Sequence, residues 1–232
     1  MIQTGYRAAI AADSHMTAQA GMRIAEVGGN AVDIGVAAAL AATVSEILMC
    51  SLGGSGFFMV KLRGKDPELI EGADMNPAID HLPATGSDAW HQVHLPYGDG
   101  VDVMAGHASI AVPGVLAAAE ATWKRHGSLP WKEIVAPAIE LAGRKIPVSP
   151  MLGGWLATAG RPLFWRNQVS RNAFFDGSRP LDTGEPFQVD GLRQTLEAIA
   201  DQGADAFYRG DIGQRLVDDV RDHGGFVTLE AL

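Results

Sequence analysis

Apolar residues recur with helical spacing along the start of the chain. Met16, Ala20, Ile24 and Val27 stand at i, i+4, i+8 and i+11, which predicts a helix over 15–27 with one apolar stripe. Asp13 or Ser14 can cap its start, and Gly28-Gly29 ends it, because glycine takes the left-handed conformation after a helix cheaply. A second helix is predicted over 31–49, served at its N-terminus by Asn30 or by the Asp33 carboxylate. It is apolar nearly all round and rich in alanine, so it must be covered on several sides. Ahead of both, the apolar run 8–12 reads as a first strand.

The pattern changes after Cys50. A glycine cluster, Gly53, Gly54 and Gly56 around Ser55, leads into the run Phe57 to Leu62, which is strand-length. Gly64-Lys65-Asp66-Pro67 reads as a turn, and Leu69 to Gly72 as a returning strand with a polar exit at Asp74-Met75-Asn76. The prediction is a β-hairpin with a glycine-lined entrance, crowded enough at Gly54 to exclude a larger residue. Phosphate-binding glycine loops lead into a helix, whereas this cluster precedes a strand, so it reads as structural.

Residues 78–100 are rich in Pro, Gly and His and read as an irregular surface loop. His81, His91 and His94 fall there, in no compact metal-ligand spacing. A strand is expected within 103–112, then helices over 115–126 and 131–142, with Ser128 as cap of the latter and Pro137 kinking or dividing it. The stretch 143–189 is mixed, and its aromatics, Trp155, Phe164, Trp165, Phe174 and Phe175, read as core. Helices over 192–202, 204–208 and 211–222 follow. The run Gly224 to Glu230 opens a further turn into a helix. The chain stops at Leu232 just as that element begins, which reads as a fragment or as a fold completed by another chain.

Of 232 residues, 47% are hydrophobic and 19% charged, enough to bury a sizeable core. A formal charge of −9 without a basic cluster argues against nucleic acid as a partner. No apolar stretch is long enough to span a bilayer, and no signal-peptide pattern opens the chain, so no membrane partner and a cytoplasmic location are expected. Cys50 stands alone, which rules out an internal disulfide and reads as a buried thiol. No cofactor and no metal are expected.

Taken in order, several short motifs resemble the γ-glutamyltranspeptidase family. They are Gly28-Gly29-Asn30-Ala31-Val32-Asp33, Leu52-Gly53-Gly54-Ser55-Gly56-Phe57, Val112-Pro113-Gly114, Gly127-Ser128-Leu129-Pro130-Trp131, Ala136-Pro137-Ala138-Ile139-Glu140-Leu141-Ala142, Phe207-Tyr208-Arg209-Gly210 and Gly224-Gly225-Phe226-Val227-Thr228-Leu229-Glu230. The resemblance implies an α+β N-terminal-nucleophile hydrolase, an αββα sandwich, made as a precursor that cuts itself in two. Residues 1–232 would be the large-subunit portion of a single domain, incomplete without a partner segment. The partner implied is a small subunit whose N-terminal threonine is the nucleophile and whose own amine is the base. None of Thr4, Thr17 or Thr43 is a candidate for that role. A small-molecule amide is the implied substrate.

The resemblance also implies where substrate binds. In γ-glutamyl-specific members, a D-x-R-E-x-A-P pattern after the second hairpin strand carries an arginine for the substrate α-carboxylate. The matching residues here are Ala73, Asp74, Met75 and Asn76, with Ala73 at the arginine position and Gly53, Gly54, Ser55 and Gly56 as structural support near the site. Alanine offers no charge-assisted bond, so an amide other than γ-glutamyl is expected unless Arg63 or another arginine takes over. The other reading is a catalytically silent binding or scaffold subunit of the same fold.

Overall fold

The computed structural model describes residues 2–4, 8–77 and 89–232. In chain order the elements are β1 (Ile2–Thr4), β2 (Ala9–Ala11), α1 (His15–Glu26), α2 (Ala31–Ser45), β3 (Gly56–Val60), β4 (Glu68–Gly72), β5 (His91–Leu95) and β6 (Val101–Ala105). Then come α3 (Val115–His126), α4 (Trp131–Ala142), β7 (Ile146–Pro147), α5 (Pro150–Trp155), α6 (Arg161–Phe164), α7 (Gln168–Phe174), β8 (Phe175–Asp176), β9 (Arg179–Pro180) and β10 (Pro186–Phe187). The helices α8 (Leu192–Gln202), α9 (Asp205–Tyr208) and α10 (Asp211–Asp222) close the chain. The content is α+β, as expected. Among the described residues every strand pairs with one neighbour only, always antiparallel.

Two compact units are distinguished. The first comprises residues 1–74, 113–145 and 191–205. Its centre is α2, packed against α1, α3 and α4, with Val36, Ala37, Leu40 and Ala41 almost wholly buried. The covering predicted for this apolar helix is therefore supplied within the unit. A capping box starts α2: the Asn30 side chain accepts from the Val32 and Asp33 amides, and Asp33 accepts the Asn30 amide in return. The helix stops at Ser45, short of Met49, because Glu46 leaves helical geometry (φ −128°, ψ 42°). The Glu46 carboxylate takes the Thr17 hydroxyl at 2.6 Å, and its carbonyl takes the Met49 and Cys50 amides.

The α3–α4 connection departs from expectation. Ser128 does not cap α4, whose N-cap position is Pro130 with no side-chain bond. Its amide and hydroxyl instead both donate to the buried Asp33 carboxylate, which ties this connection to the start of α2. Pro137 does not divide α4, which runs through it with the proline ring buried beside Ile134 and Ala138. Burial of that ring offsets the one helical bond that proline cannot donate.

The second unit comprises residues 75–112, 146–190 and 206–232. Here 91–95 is not a loop. It forms β5 of a hairpin with β6, and Val93 and Leu95 pack with Ala159. The alternation His91-Gln92-Val93-His94-Leu95 turns every second residue inward, with Val93 and Leu95 buried and His91 partly so, a period-2 signal hidden by the polar residues between. His81 lies outside the described residues. Phe174 and Phe175 are core, as expected, whereas Trp165 is only partly buried, with the Arg161 guanidinium 4.6 Å above its ring. At the end of the chain, Thr228 accepts the Ala231 amide with its hydroxyl and its carbonyl, beginning a turn.

Candidate functional site

The glycine cluster leads into β3, which pairs with β4 in the register Gly56 to Gly72 and Val60 to Glu68. One face of this hairpin lies on α3. Gly54 meets the first turn of that helix: its carbonyl accepts the Gly114 amide at 3.2 Å and the Val115 amide at 3.1 Å. The N-cap of α3 is Gly114, which has no side chain to do this, so a backbone carbonyl takes donors that a helix start leaves unpaired. Two of the amides at the helix start are thereby used.

The closest approach is one strand further on. A Cβ at Gly114 would stand 2.4 Å from the Ala73 carbonyl oxygen, and one at Gly72 would stand 2.7 Å from the Gly114 carbonyl oxygen. Only hydrogen fits between these two backbones. Gly54 itself is less confined than expected, its nearest neighbours being Ser51 atoms at 3.3 Å. Within the cluster the confined position is Gly56, where a Cβ would stand 2.9 Å from the Val115 side chain, and the sequence reading missed the Gly72–Gly114 pair. Its only signals were the small residue ending β4 and the Pro-Gly before α3.

Ala73 follows directly, half-buried, and Asp74 is exposed. In the second unit, Met75 and Val112 exchange two backbone hydrogen bonds, at 3.0 and 2.7 Å, which leaves the Met75 and Asn76 side chains exposed. Arg63 stands well away from Ala73 along the hairpin. It lies in the turn beyond Val60 and Glu68, at the far end of the ladder from the Gly56–Gly72 pair. Four residue steps of about 3.4 Å put roughly 14 Å of strand between them. His91 and His94 sit on β5, where His94 is held by Asp102 at 2.8 Å.

Cys50 is half-buried rather than buried, and burial, with the Glu46 and Asp13 charges, pushes its thiol up to about 11. The thiolate is the reactive form, so this cysteine is poorly suited to be a nucleophile. Iodoacetamide at pH 8 should alkylate it at least about tenfold more slowly than free cysteine, with the rate still rising above pH 9. Alkylation as fast as that of free cysteine would contradict this assignment.

The sequence profile described as "Gamma-glutamyltranspeptidase" matches residues 17–232. The chain belongs to this family. A glutathione hydrolase 3 from Arabidopsis thaliana is 34% identical over 223 residues, which cover 96% of this chain and 33% of that protein. The chain thus spans about a third of the length of the curated relatives it matches. The crystal structure of Helicobacter pylori γ-glutamyltranspeptidase superposes with a TM-score of 0.83 at 25% identity, covering 100% of this chain and 64% of that one. A cephalosporin acylase from Bacillus halodurans gives a TM-score of 0.73 at 28% identity, over 93% of this chain and 40% of that one. The γ-glutamyltranspeptidase fold, with its mixed helix and strand content, is the one expected, and this chain corresponds to the N-terminal part of the large subunit. Among the described residues, no helix is long and apolar enough to cross a membrane.

Proposed function

We propose that this chain is the large-subunit portion of an amidohydrolase that forms its acyl-enzyme on an N-terminal threonine outside residues 1–232, and that it is not γ-glutamyl-specific. Ala73 carries the reading on specificity. The residue follows β4, its backbone is locked against Gly114, and Arg63 lies at the wrong end of the hairpin. Asp74 beside it repels a carboxylate. The relation to a cephalosporin acylase supports a different acyl group on the same fold.

The outer hairpin face supports a covering partner segment. Phe57, Met59 and Leu69 project away from α3 and are 61%, 72% and 55% exposed within this chain, and Met59 pairs with Leu69. Apolar surface of this kind, continuous along a strand pair, marks a contact with another part of the protein. The small subunit carrying the threonine is the partner this reading requires.

The test is kinetic. The assembled protein should hydrolyse γ-glutamyl anilides slowly or not at all while turning over another small amide. Ala73→Arg, and more so Ala73→Arg/Asp74→Glu, should raise γ-glutamyl kcat/KM by about one to two orders of magnitude, the worth of a charge-assisted bond. Efficient γ-glutamyl turnover by the unsubstituted protein would overturn the specificity. Absence of any accompanying polypeptide that begins with threonine, by N-terminal sequencing, would overturn the enzyme assignment.

A further inference from the structure

We propose that His107, Asp219 and His223 form a binding site for a divalent transition-metal ion of the zinc class. All three lie in the second unit. Asp219 sits in the last turn of α10 and His223 at its C-cap, an i, i+4 pair on one face of the helix. His107 opens the single 3₁₀ turn His107–Ser109 that follows β6. One ligand atom from each residue lies within 4.8 Å of the other two.

The spacing suits an ion better than a set of direct bonds. Nε2 of His107 is 3.6 Å from Oδ2 of Asp219, and Nδ1 of His223 is 3.5 Å from Oδ1. Both gaps are long for hydrogen bonds. Ligands about 2.0–2.1 Å from a tetrahedral zinc stand roughly 3.3–3.4 Å from each other, so the His107–Asp219 edge needs to close by only a few tenths of an ångström. The two imidazoles stack at 4.4 Å with 16° between their planes, beside the same carboxylate.

The frame around these side chains exists without the ion. His223 Nδ1 makes a 2.7 Å hydrogen bond with the Asp219 carbonyl, the kind of backbone bond that orients a ligating imidazole, and this leaves Nε2 as the ring atom for the ion. Gly225 lies against the His107 carbonyl so closely that a Cβ would stand 2.4 Å from the oxygen. Its amide is bonded to the Val220 carbonyl at 2.7 Å, and Val217, Val220 and Val227 form a buried cluster there. The end of α10 is thereby anchored to the turn carrying His107. Two imidazoles and a carboxylate suit zinc, cobalt or nickel better than calcium or magnesium, and three protein ligands leave a position for water. Because α10 and β6 are far apart in the chain, no local spacing announces the site.

Zinc and cobalt titrations of the purified full-length protein test this proposal, in a buffer that does not chelate metal. Calorimetry should show one saturable zinc site per chain. His107→Gln, Asp219→Asn and His223→Gln should each weaken it by about tenfold or more, and His94→Gln on β5 should leave it unchanged. Melts without metal separate loss of the site from loss of the fold, since the variants should melt with the parent and fail only to gain stability from zinc. The unsubstituted protein gives an independent arm: bound Co²⁺ should show the intense visible bands of four-coordination. No saturable binding, a spectrum like that of the aqueous ion, binding that survives His107→Gln, or an equal loss in His94→Gln would each overturn the site.

Discussion

Replacing Asp33 with alanine should destabilise the protein by about 3–5 kcal/mol, a large share of the roughly 5–15 kcal/mol that holds a domain folded. Asp33 is wholly buried. Its carboxylate accepts the Asn30 amide at 2.9 Å, the Ser128 amide at 3.0 and 3.1 Å, the Leu129 amide at 3.4 Å, and the Ser128 hydroxyl. It thus serves the start of α2 and the α3–α4 connection at once. Alanine would leave three part-buried amides without their acceptor, each at a cost of about 1–3 kcal/mol where water cannot replace the carboxylate. Asparagine keeps one carbonyl acceptor and should cost less than alanine. Urea unfolding measures both. A lower midpoint with an unchanged slope is expected, whereas a loss under about 1 kcal/mol for Asp33→Ala would show that the carboxylate is dispensable.

Gly114→Val should be nearly as damaging and should act at the candidate site. Its Cβ would meet the Ala73 oxygen at 2.4 Å and the Gly72 carbonyl atoms at 2.7 Å. These are backbone atoms of a paired strand and cannot swing aside as a side chain would. Relief requires moving α3 off the hairpin, which breaks the two bonds from Gly54 to the helix start. Overpacking of about 1–3 kcal/mol, with the lost bonds at about 1 kcal/mol each, gives an expected cost of roughly 3–5 kcal/mol. Gly53→Ala is the control, because the nearest atom to its Cβ is Ser51 Oγ at 4.0 Å. Soluble yield and melting temperature should fall sharply for Gly114→Val and hold for Gly53→Ala. Equal behaviour of the two would remove the close approach as a constraint.

The hairpin shows how far the sequence carried the site. Both strands, the turn at Gly64 and the polar exit at Asp74 were legible, because alternation and turn chemistry act over a few residues. The place of Ala73 followed from resemblance and from being next after β4. What the hairpin touches was not legible. Nothing in Gly72 announces that its partner is Gly114, or in Asp33 that it answers Ser128.

The sequence by itself determined several helices and their ends, though not the early stop of α2 at Ser45 or the short helices α5, α6 and α7. The bounds of α3, α4, α8 and α10 were readable from apolar spacing and from glycine and proline at the junctions, signals confined to a turn or two. Tertiary structure alone decided that α2 is covered by α1, α3 and α4 while the Phe57–Met59 face of β3 is left open. It also decided that His91 and His94 belong to a strand, that Asp33 holds two segments together, and that His107 meets Asp219 and His223. The reason is range: caps and periodicity depend on neighbours along the chain, whereas hydrogen bonds and steric exclusion depend on distance through space, which only the folded chain sets.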